Sequence, residues 1–182
     1  MRAIQTRYAG YHFRSRLEAK WAVFFDTLGI EWEYEPEGYE FSNGRRYLPD
    51  FYLPACGTWI EVKGDPRCYD RDLMLTAARE LPSNPTYGEQ GPVLMTLGSI
   101  PRPTMRDDVV WTFNGFRREG RFTDSERWSF NEFAKNERPW WVDGTYDPNP
   151  LRATLEPEEN DCHSAYAAAR SARFEHGEEG AT

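Results

Sequence analysis

Two acidic residues and a lysine fall on neighbouring predicted strands, where their side chains can meet at one surface. The segment RRYLPDFYLPACGTWIEVKG, which begins at Arg45, predicts two strands joined by a turn at Pro54–Gly57. Side chains alternate along a strand, so Asp50 points away from the apolar face of the first strand, and Glu61 and Lys63 point away from that of the second. Two carboxylates beside an ammonium group can bind a divalent cation and stabilise charge on a reacting phosphate. The pattern therefore indicates phosphodiester cleavage.

The alternative for these residues is a solvated strand face with an incidental ion pair. Aspartate is disfavoured inside a strand, and the residues that adjoin these charges are aromatic or aliphatic. Placing Asp50 beside Glu61 also makes both carboxylates harder to ionise together unless a cation lies between them. A fold rarely keeps such a cost without a use, which favours a catalytic role.

The same segment resembles the PD-(D/E)xK nuclease superfamily, whose motif falls here on Asp50, Glu61 and Lys63. The resemblance implies that Mg²⁺, or Mn²⁺, is bound by Asp50, Glu61 and the main-chain carbonyl of Val62. It implies that Lys63 positions or activates the attacking water. It also implies a further acid on a helix before the hairpin, and Glu18 occupies that position.

The resemblance covers about Tyr8–Pro103 and implies an α/β fold with a restriction-endonuclease-like core, in which helices flank a mixed sheet of about four to five strands. The order of predicted elements agrees with this fold. We therefore place the core at residues 1–104, and residues 105–182 form a C-terminal extension packed on it. The YLPDF and WIEVKG sequences and the RFEHG sequence near the C-terminus are also similar to those of small proteins from actinobacteria and their phages.

Hydrophobic periodicity, capping residues and turn residues predict eight main elements. Predicted helices cover Ser15–Leu28, Asp70–Leu81 and Cys162–Phe174, and predicted strands cover Ile30–Glu35, Tyr39–Phe41, Arg46–Leu53, Thr58–Lys63 and Pro92–Leu97. A further strand is expected at Val109–Phe113. The helical connection between the last two main strands predicts that they pair in parallel.

Glu18 has a second interpretation that involves no chemistry. It follows Ser15 by three residues, which is the spacing of a capping box at a helix N-terminus. The sequence leaves both roles open, as a site acid and as a capping residue.

The N-terminal twenty residues are basic, although the whole chain has a net charge of −8. That net charge argues against strong non-specific binding to nucleic acid. Arg7, Arg14, Arg16 and Lys20 can still contact phosphates close to the site. Arg16 and Lys20 are four residues apart on a predicted helix, so a solvated helix face is the alternative for that pair.

The rest of the composition is typical of a cytoplasmic protein. At 182 residues the chain can bury a substantial core, and it has no apolar run of membrane-spanning length and no signal-peptide pattern at Met1. The three cysteines, Cys56, Cys68 and Cys162, lack metal-binding or redox spacing and indicate free thiols in a reducing cytoplasm.

These observations lead to one main functional hypothesis and two alternatives. The main hypothesis is a Mg²⁺-dependent endodeoxyribonuclease that acts on DNA during phage or mobile-element DNA processing, repair or recombination. The first alternative is a structure-selective resolvase of the Holliday-junction type, which would act as a homodimer because it cuts two strands. The second is a nucleic-acid-binding or inhibitory module whose nuclease site is idle.

Overall fold

The computed structural model describes residues 4–54, 57–65, 69–82, 93–100, 113–116, 122–130, 141–142 and 161–174. The helices in this part of the chain are α1 (Arg16–Leu28), α2 (Arg71–Glu80) and α3 (Asp161–Ser171). The strands are β1 (Thr6–Tyr8), β2 (Tyr11–Phe13), β3 (Glu33–Tyr34), β4 (Tyr39–Glu40), β5 (Arg46–Tyr47), β6 (Phe51–Leu53), β7 (Thr58–Val62), β8 (Leu94–Leu97), β9 (Phe113–Phe116), β10 (Phe122–Phe130) and β11 (Trp141–Val142).

A mixed sheet in the order β11-β10-β9-β8-β7-β6-β3 forms the centre of the molecule. Strands β7 and β8 pair in parallel through the α2 crossover, and the other neighbouring strands of this sheet pair antiparallel. The described part of residues 1–104 contributes four strands to this sheet, against about four to five expected for the core, and β9, β10 and β11 extend the same sheet. Two antiparallel hairpins, β1-β2 and β4-β5, lie outside it.

Alternation along β6, β7 and β8 divides the apolar side chains between two cores. One core joins residues such as Phe51 and Ile60 to buried side chains of α1 and α3. The other joins Trp59 and Leu94 to α2 and to the β4-β5 hairpin, which contributes Tyr47. The sheet is therefore covered by α1 and α3 on one face and by α2 on the other, which confirms the predicted mixed α/β class.

The N-terminus of α1 forms the local structure that its sequence predicts. Ser15 is the N-cap, and its side chain accepts a hydrogen bond from the amide of Glu18. Gly29 ends the helix in the left-handed conformation at φ 66°, which a residue without Cβ adopts at little cost. These caps place the first turn of α1, including Glu18, at a defined position near the end of β2.

Two strand predictions are wrong in extent. The continuous strand expected over Arg46–Leu53 is two strands, because β5 pairs only with β4 and β6 pairs with β3 and β7. Pro49 lies in the break, where its missing N–H and its restriction on the preceding residue interrupt a ladder. The strand expected over Ile30–Glu35 is limited to Glu33–Tyr34.

The other predicted elements of residues 1–104 are confirmed to within a few residues, including the parallel pairing of β7 and β8. The boundary at residue 104, most of the predicted strand Val109–Phe113, and the Cys56 and Cys68 thiols lie outside the described residues. In the described part of the chain, none of the helices has the length and apolar character that a membrane crossing requires.

Residues after 104 take part in both the sheet and the core. Strand β9 pairs with β8, and the α3 residues Ala165, Tyr166 and Ala169 are buried in the core that contains α1. The Tyr166 ring lies 4.6 Å from the Phe24 ring, measured between centroids. This packing fixes the face of α1 that turns away from solvent.

Candidate active site

Asp50 and Glu61 lie side by side at the edge of the β6-β7 ladder. Phe51 pairs with Ile60, so Asp50 precedes that pair and Glu61 follows it on the neighbouring strand. Phe51 and Ile60 face the α1 core, which turns Glu61 toward the α2 face of the sheet. Asp50 lies just before β6, where it contacts Arg14 and the Val62 amide. Only 4% of Asp50 and 5% of Glu61 is exposed, so two carboxyl groups are buried next to each other.

The Asp50 carboxyl is held at both oxygens. Its Oδ2 atom accepts a hydrogen bond from the Val62 amide at 2.6 Å, and its Oδ1 atom accepts one from the Arg14 guanidinium at 2.9 Å. Burial first, and then the charge of Glu61, raise the pKa of Asp50 to about 8, while the Val62 amide and the charge of Lys63 act in the opposite direction. Burial beside Glu61 therefore favours the protonated form of Asp50 when no metal is bound.

The Glu61 carboxylate also has a partner at each oxygen. The Tyr47 hydroxyl donates to Oε2 at 2.8 Å in a buried hydrogen bond, and the Lys63 ammonium forms an ion pair with Oε1. Burial alone would lower the pKa of Lys63, but the charge of Glu61 raises it above the ordinary value. Lys63 is therefore a cation throughout the physiological pH range, and about a third of its side chain is exposed.

Glu18 is buried at the start of α1, and its amide and its carboxylate both contact the N-cap residue Ser15. Its Oε1 atom accepts from the Ser15 hydroxyl at 2.6 Å, and its Oε2 atom accepts from the Tyr34 hydroxyl at 2.6 Å and the Arg14 amide at 3.1 Å. Its charge also helps to raise the pKa of Asp50, after burial and Glu61. The structure thus places Glu18 near the two acids without a direct bond to them, and its role as a site acid stays a prediction.

Arg14 connects the N-terminal hairpin to the site. Its guanidinium forms ion pairs with Asp50 and with Glu35, while about half of the side chain remains exposed. Glu35 has a positive φ of 44°, a conformation that is strained for a residue with a Cβ, and its amide donates to the Asp50 carbonyl at 3.0 Å. This backbone geometry presents the Glu35 carboxylate to Arg14.

The other basic residues of the N-terminal segment lie on β1 and α1. Arg7 is exposed on β1 directly opposite His12 of β2, on the outer face of the hairpin that leads to Arg14. Arg16 is half-buried in the first turn of α1. Lys20 donates to the Arg170 carbonyl at 3.2 Å, so its ammonium interacts with the C-terminal end of α3.

Sequence reasoning missed Tyr47, Tyr34 and Glu35. A continuous strand over residues 46–53 places Tyr47 on the face opposite Asp50, and only the break at Pro49 lets both reach the same site. Tyr34 and Glu35 fell within an alternating acidic strand, where no signal separates a site residue from a solvated one. The Pro in the YLPDF sequence was the available signal for the strand break.

The described residues suit a metal site built from few protein ligands. No group of three or more His, Cys, Asp or Glu side chains in this part of the chain is arranged to hold a metal ion. Asp50 and Glu61 offer two carboxylates, and their burial together raises the pKa of Asp50 even with Arg14 and Lys63 beside them. These features fit Mg²⁺, which binds through one or two carboxylates and keeps several waters.

Comparisons of the chain with protein-family models, with curated proteins and with solved structures found no match.

Proposed function

We propose that this protein is a divalent-metal-dependent phosphodiesterase that cleaves DNA as an endonuclease, and that its core has a restriction-endonuclease-like fold. The fold proposal is supported by the order α1, β6, β7, α2, β8 and by the parallel pairing of β7 with β8 after the α2 crossover. One observation carries the functional proposal. Asp50 and Glu61 are buried side by side, and such a pair of carboxyl groups opposes folding unless positive charge compensates it, as the cations of Arg14 and Lys63 do here.

The proposed chemistry divides between a metal ion and the residues around it. Asp50 and Glu61 would hold Mg²⁺ or Mn²⁺, and such an ion polarises a phosphate oxygen and lowers the pKa of a bound water. Lys63, fixed by its ion pair with Glu61, orients the attacking water or stabilises the negative charge that develops on phosphorus. The Tyr47 hydroxyl keeps the Glu61 carboxylate in one orientation.

Arg14 and Arg7 supply the proposed contact with the nucleic-acid backbone. Arg14 reaches the site itself and is half exposed, and Arg7 lies further out on the same hairpin. A guanidinium that pairs with Asp50 and Glu35 has the geometry to pair with a phosphate instead. Lys20 donates to the Arg170 carbonyl of α3, and Arg16 is half-buried in α1. We therefore assign the main phosphate contacts to Arg14 and Arg7, and contacts from Arg16 and Lys20 stay predictions.

An idle nuclease fold that only binds nucleic acid is the second candidate. Both carboxylates already pair with cations of the chain itself, Asp50 with Arg14 and Glu61 with Lys63. Such internal neutralisation lets the site exist without a metal, and the acidic net charge of −8 limits general affinity for nucleic acid.

The two candidates differ in a direct assay. Purified protein is incubated with linear, nicked, single-stranded and branched DNA, and with RNA, in Mg²⁺, in Mn²⁺ and in EDTA. The nuclease proposal expects cleavage of at least one form with either metal and none in EDTA. Binding without cleavage under every condition would replace it with the idle-site candidate.

A further inference from the structure

Thr96 lies next to Glu61 across the parallel β7-β8 pair. The register places Glu61 opposite Thr96, just as it places Trp59 opposite Leu94 two residues earlier. Trp59 and Leu94 both pack in the α2-face core, and side chains two residues along a strand return to the same face. The Thr96 side chain therefore lies on the same face as Glu61, one strand spacing of about 4.8 Å away.

The Thr96 hydroxyl is buried, and the described residues provide no hydrogen-bond partner for it. Only 4% of the residue is exposed, and Oγ1 has no partner within the described part of the chain. Glu61, its neighbour, uses its two oxygens for Tyr47 and Lys63. A buried hydroxyl without a partner opposes folding, and valine in the same shape would not carry that cost.

We infer that Thr96 is a further positioning residue of this site, whose hydroxyl hydrogen-bonds a water molecule carried by the divalent cation beside Glu61. This inference rests on the proposed function. A hydroxyl can both donate to and accept from such a water, and Mg²⁺ and Mn²⁺ retain waters that need partners in a protein site. Thr96 would then act on the metal through its water, as outer-shell groups do around other protein-bound metals.

The inference predicts opposite effects of Thr96→Val on stability and on metal binding. Without metal, in EDTA, the urea midpoint should rise because a buried hydroxyl that lacks a partner is removed. The affinity of the full chain for Mn²⁺ alone, measured by isothermal titration calorimetry, should fall about tenfold because the bound water loses a partner. Thr96→Ser retains the hydroxyl, so its affinity for Mn²⁺ should stay within about twofold of the wild-type affinity, in contrast to the loss of about tenfold expected for Thr96→Val.

Thr58→Val is the matched control on the neighbouring strand. Thr58 is fully buried near the other end of β7, and it has an interaction partner within the protein. Removing its hydroxyl should lower the urea midpoint and leave Mn²⁺ affinity unchanged. The two valine variants thus carry the same chemical change, but their urea midpoints should move in opposite directions. Only Thr96→Val should lose affinity for Mn²⁺.

Three outcomes would overturn the inference. Unchanged Mn²⁺ affinity in Thr96→Val would remove Thr96 from the metal site and leave the proposed function intact. A lower urea midpoint for metal-free Thr96→Val would show that the hydroxyl has a partner in the protein. Wild type that binds no Mn²⁺ would end the proposed metal-dependent function, and the inference with it.

Discussion

At the Asp50 carboxyl, burial and the charge of Glu61 both favour the protonated form, so the stability of the metal-free protein should depend on pH. An aspartate in an unfolded chain has a pKa of about 4. In the folded protein, burial and the charge of Glu61 raise the pKa of Asp50 to about 8. Between these values the folded state retains a proton that the unfolded state has lost. Its free energy of unfolding therefore falls as pH rises, by at most about 1.4 kcal/mol per unit from this group.

Asp50→Asn should remove this part of the pH dependence. Urea unfolding in EDTA between pH 5 and 8 should give a flatter profile for the variant than for wild type. Asp70→Asn is the control, because Asp70 is exposed and its hydrogen bond from Arg45 lowers its pKa. Parallel profiles for wild type and Asp50→Asn would show that Asp50 is not a buried, proton-binding carboxyl.

Glu18 can be assigned by a change that keeps its shape and removes its charge. In Glu18→Gln the amide oxygen can still accept from Tyr34 and the Arg14 amide, and the amide nitrogen can donate to Ser15. The free energy of unfolding should change by less than about 1 kcal/mol. If Glu18 also serves as a site acid, cleavage should fall by at least about tenfold and need more metal, with partial rescue by Mn²⁺. Full activity would limit Glu18 to capping.

Among individual residues, Asp50, Glu61 and Lys63 were predictable because strand alternation is a local rule that brings them to one surface. The pairing of Arg14 with Asp50 could not be predicted in this way, because the two residues are 36 positions apart in the sequence. They meet only because the β1-β2 hairpin leads the chain to the site. The same holds for Thr96, whose position beside Glu61 depends on the register between two strands joined by a helix.

At the scale of elements, the β4-β5 hairpin delivers Tyr47 to the site. Hydrogen bonds from the main chain and side chain of Ser42 to Glu80 at 2.8 and 2.6 Å attach the hairpin to α2, and Arg45 pairs with Asp70. The Tyr47 hydroxyl then reaches Glu61 inside the protein. A surface hairpin and a helix on one face of the sheet thus determine the orientation of a proposed metal ligand.

Tyr47→Phe tests this connection, because it removes only the hydroxyl that holds Glu61. The affinity for Mn²⁺ should fall by about tenfold while the near-UV circular dichroism spectrum keeps its native form. Tyr39→Phe is the control: Tyr39 pairs directly with Tyr47 across the hairpin, and its hydroxyl is directed to Glu37 instead of the site. Equal Mn²⁺ affinities in both variants would assign Tyr47 to packing alone.

Local sequence signals predicted most helices and strands, since caps and periodicity act within one element. Ser15 and Gly29 bound α1 as expected. The prediction failed at Pro49, where alternation extends across a break and assigns Tyr47 to the wrong face. The β4-β5 hairpin was predictable from its Asn-Gly turn, but its separation from the central sheet depends on contacts with α2.

At the scale of the whole molecule, one continuous sheet and two cores hold the site in place. Strand β9 extends the sheet beyond β8, and α3 covers the outer side of α1, so elements after residue 104 support the helix that carries Glu18. Periodicity predicted α3 as a helix. Its packing against α1 could not be read from the sequence, because the two helices are separated by more than a hundred residues.

The most direct test of the central claim is a single-turnover cleavage rate, measured with the DNA form that wild type cleaves best in saturating Mg²⁺. Wild type should cleave in Mg²⁺ and not in EDTA. Lys63→Ala should remain folded and still bind metal, but its cleavage rate should fall by about 10²-fold or more. Asp50→Asn should lose both cleavage and metal binding. Absence of cleavage by wild type would rule out a nuclease, and cleavage by Lys63→Ala at the wild-type rate would remove Lys63 from the reaction.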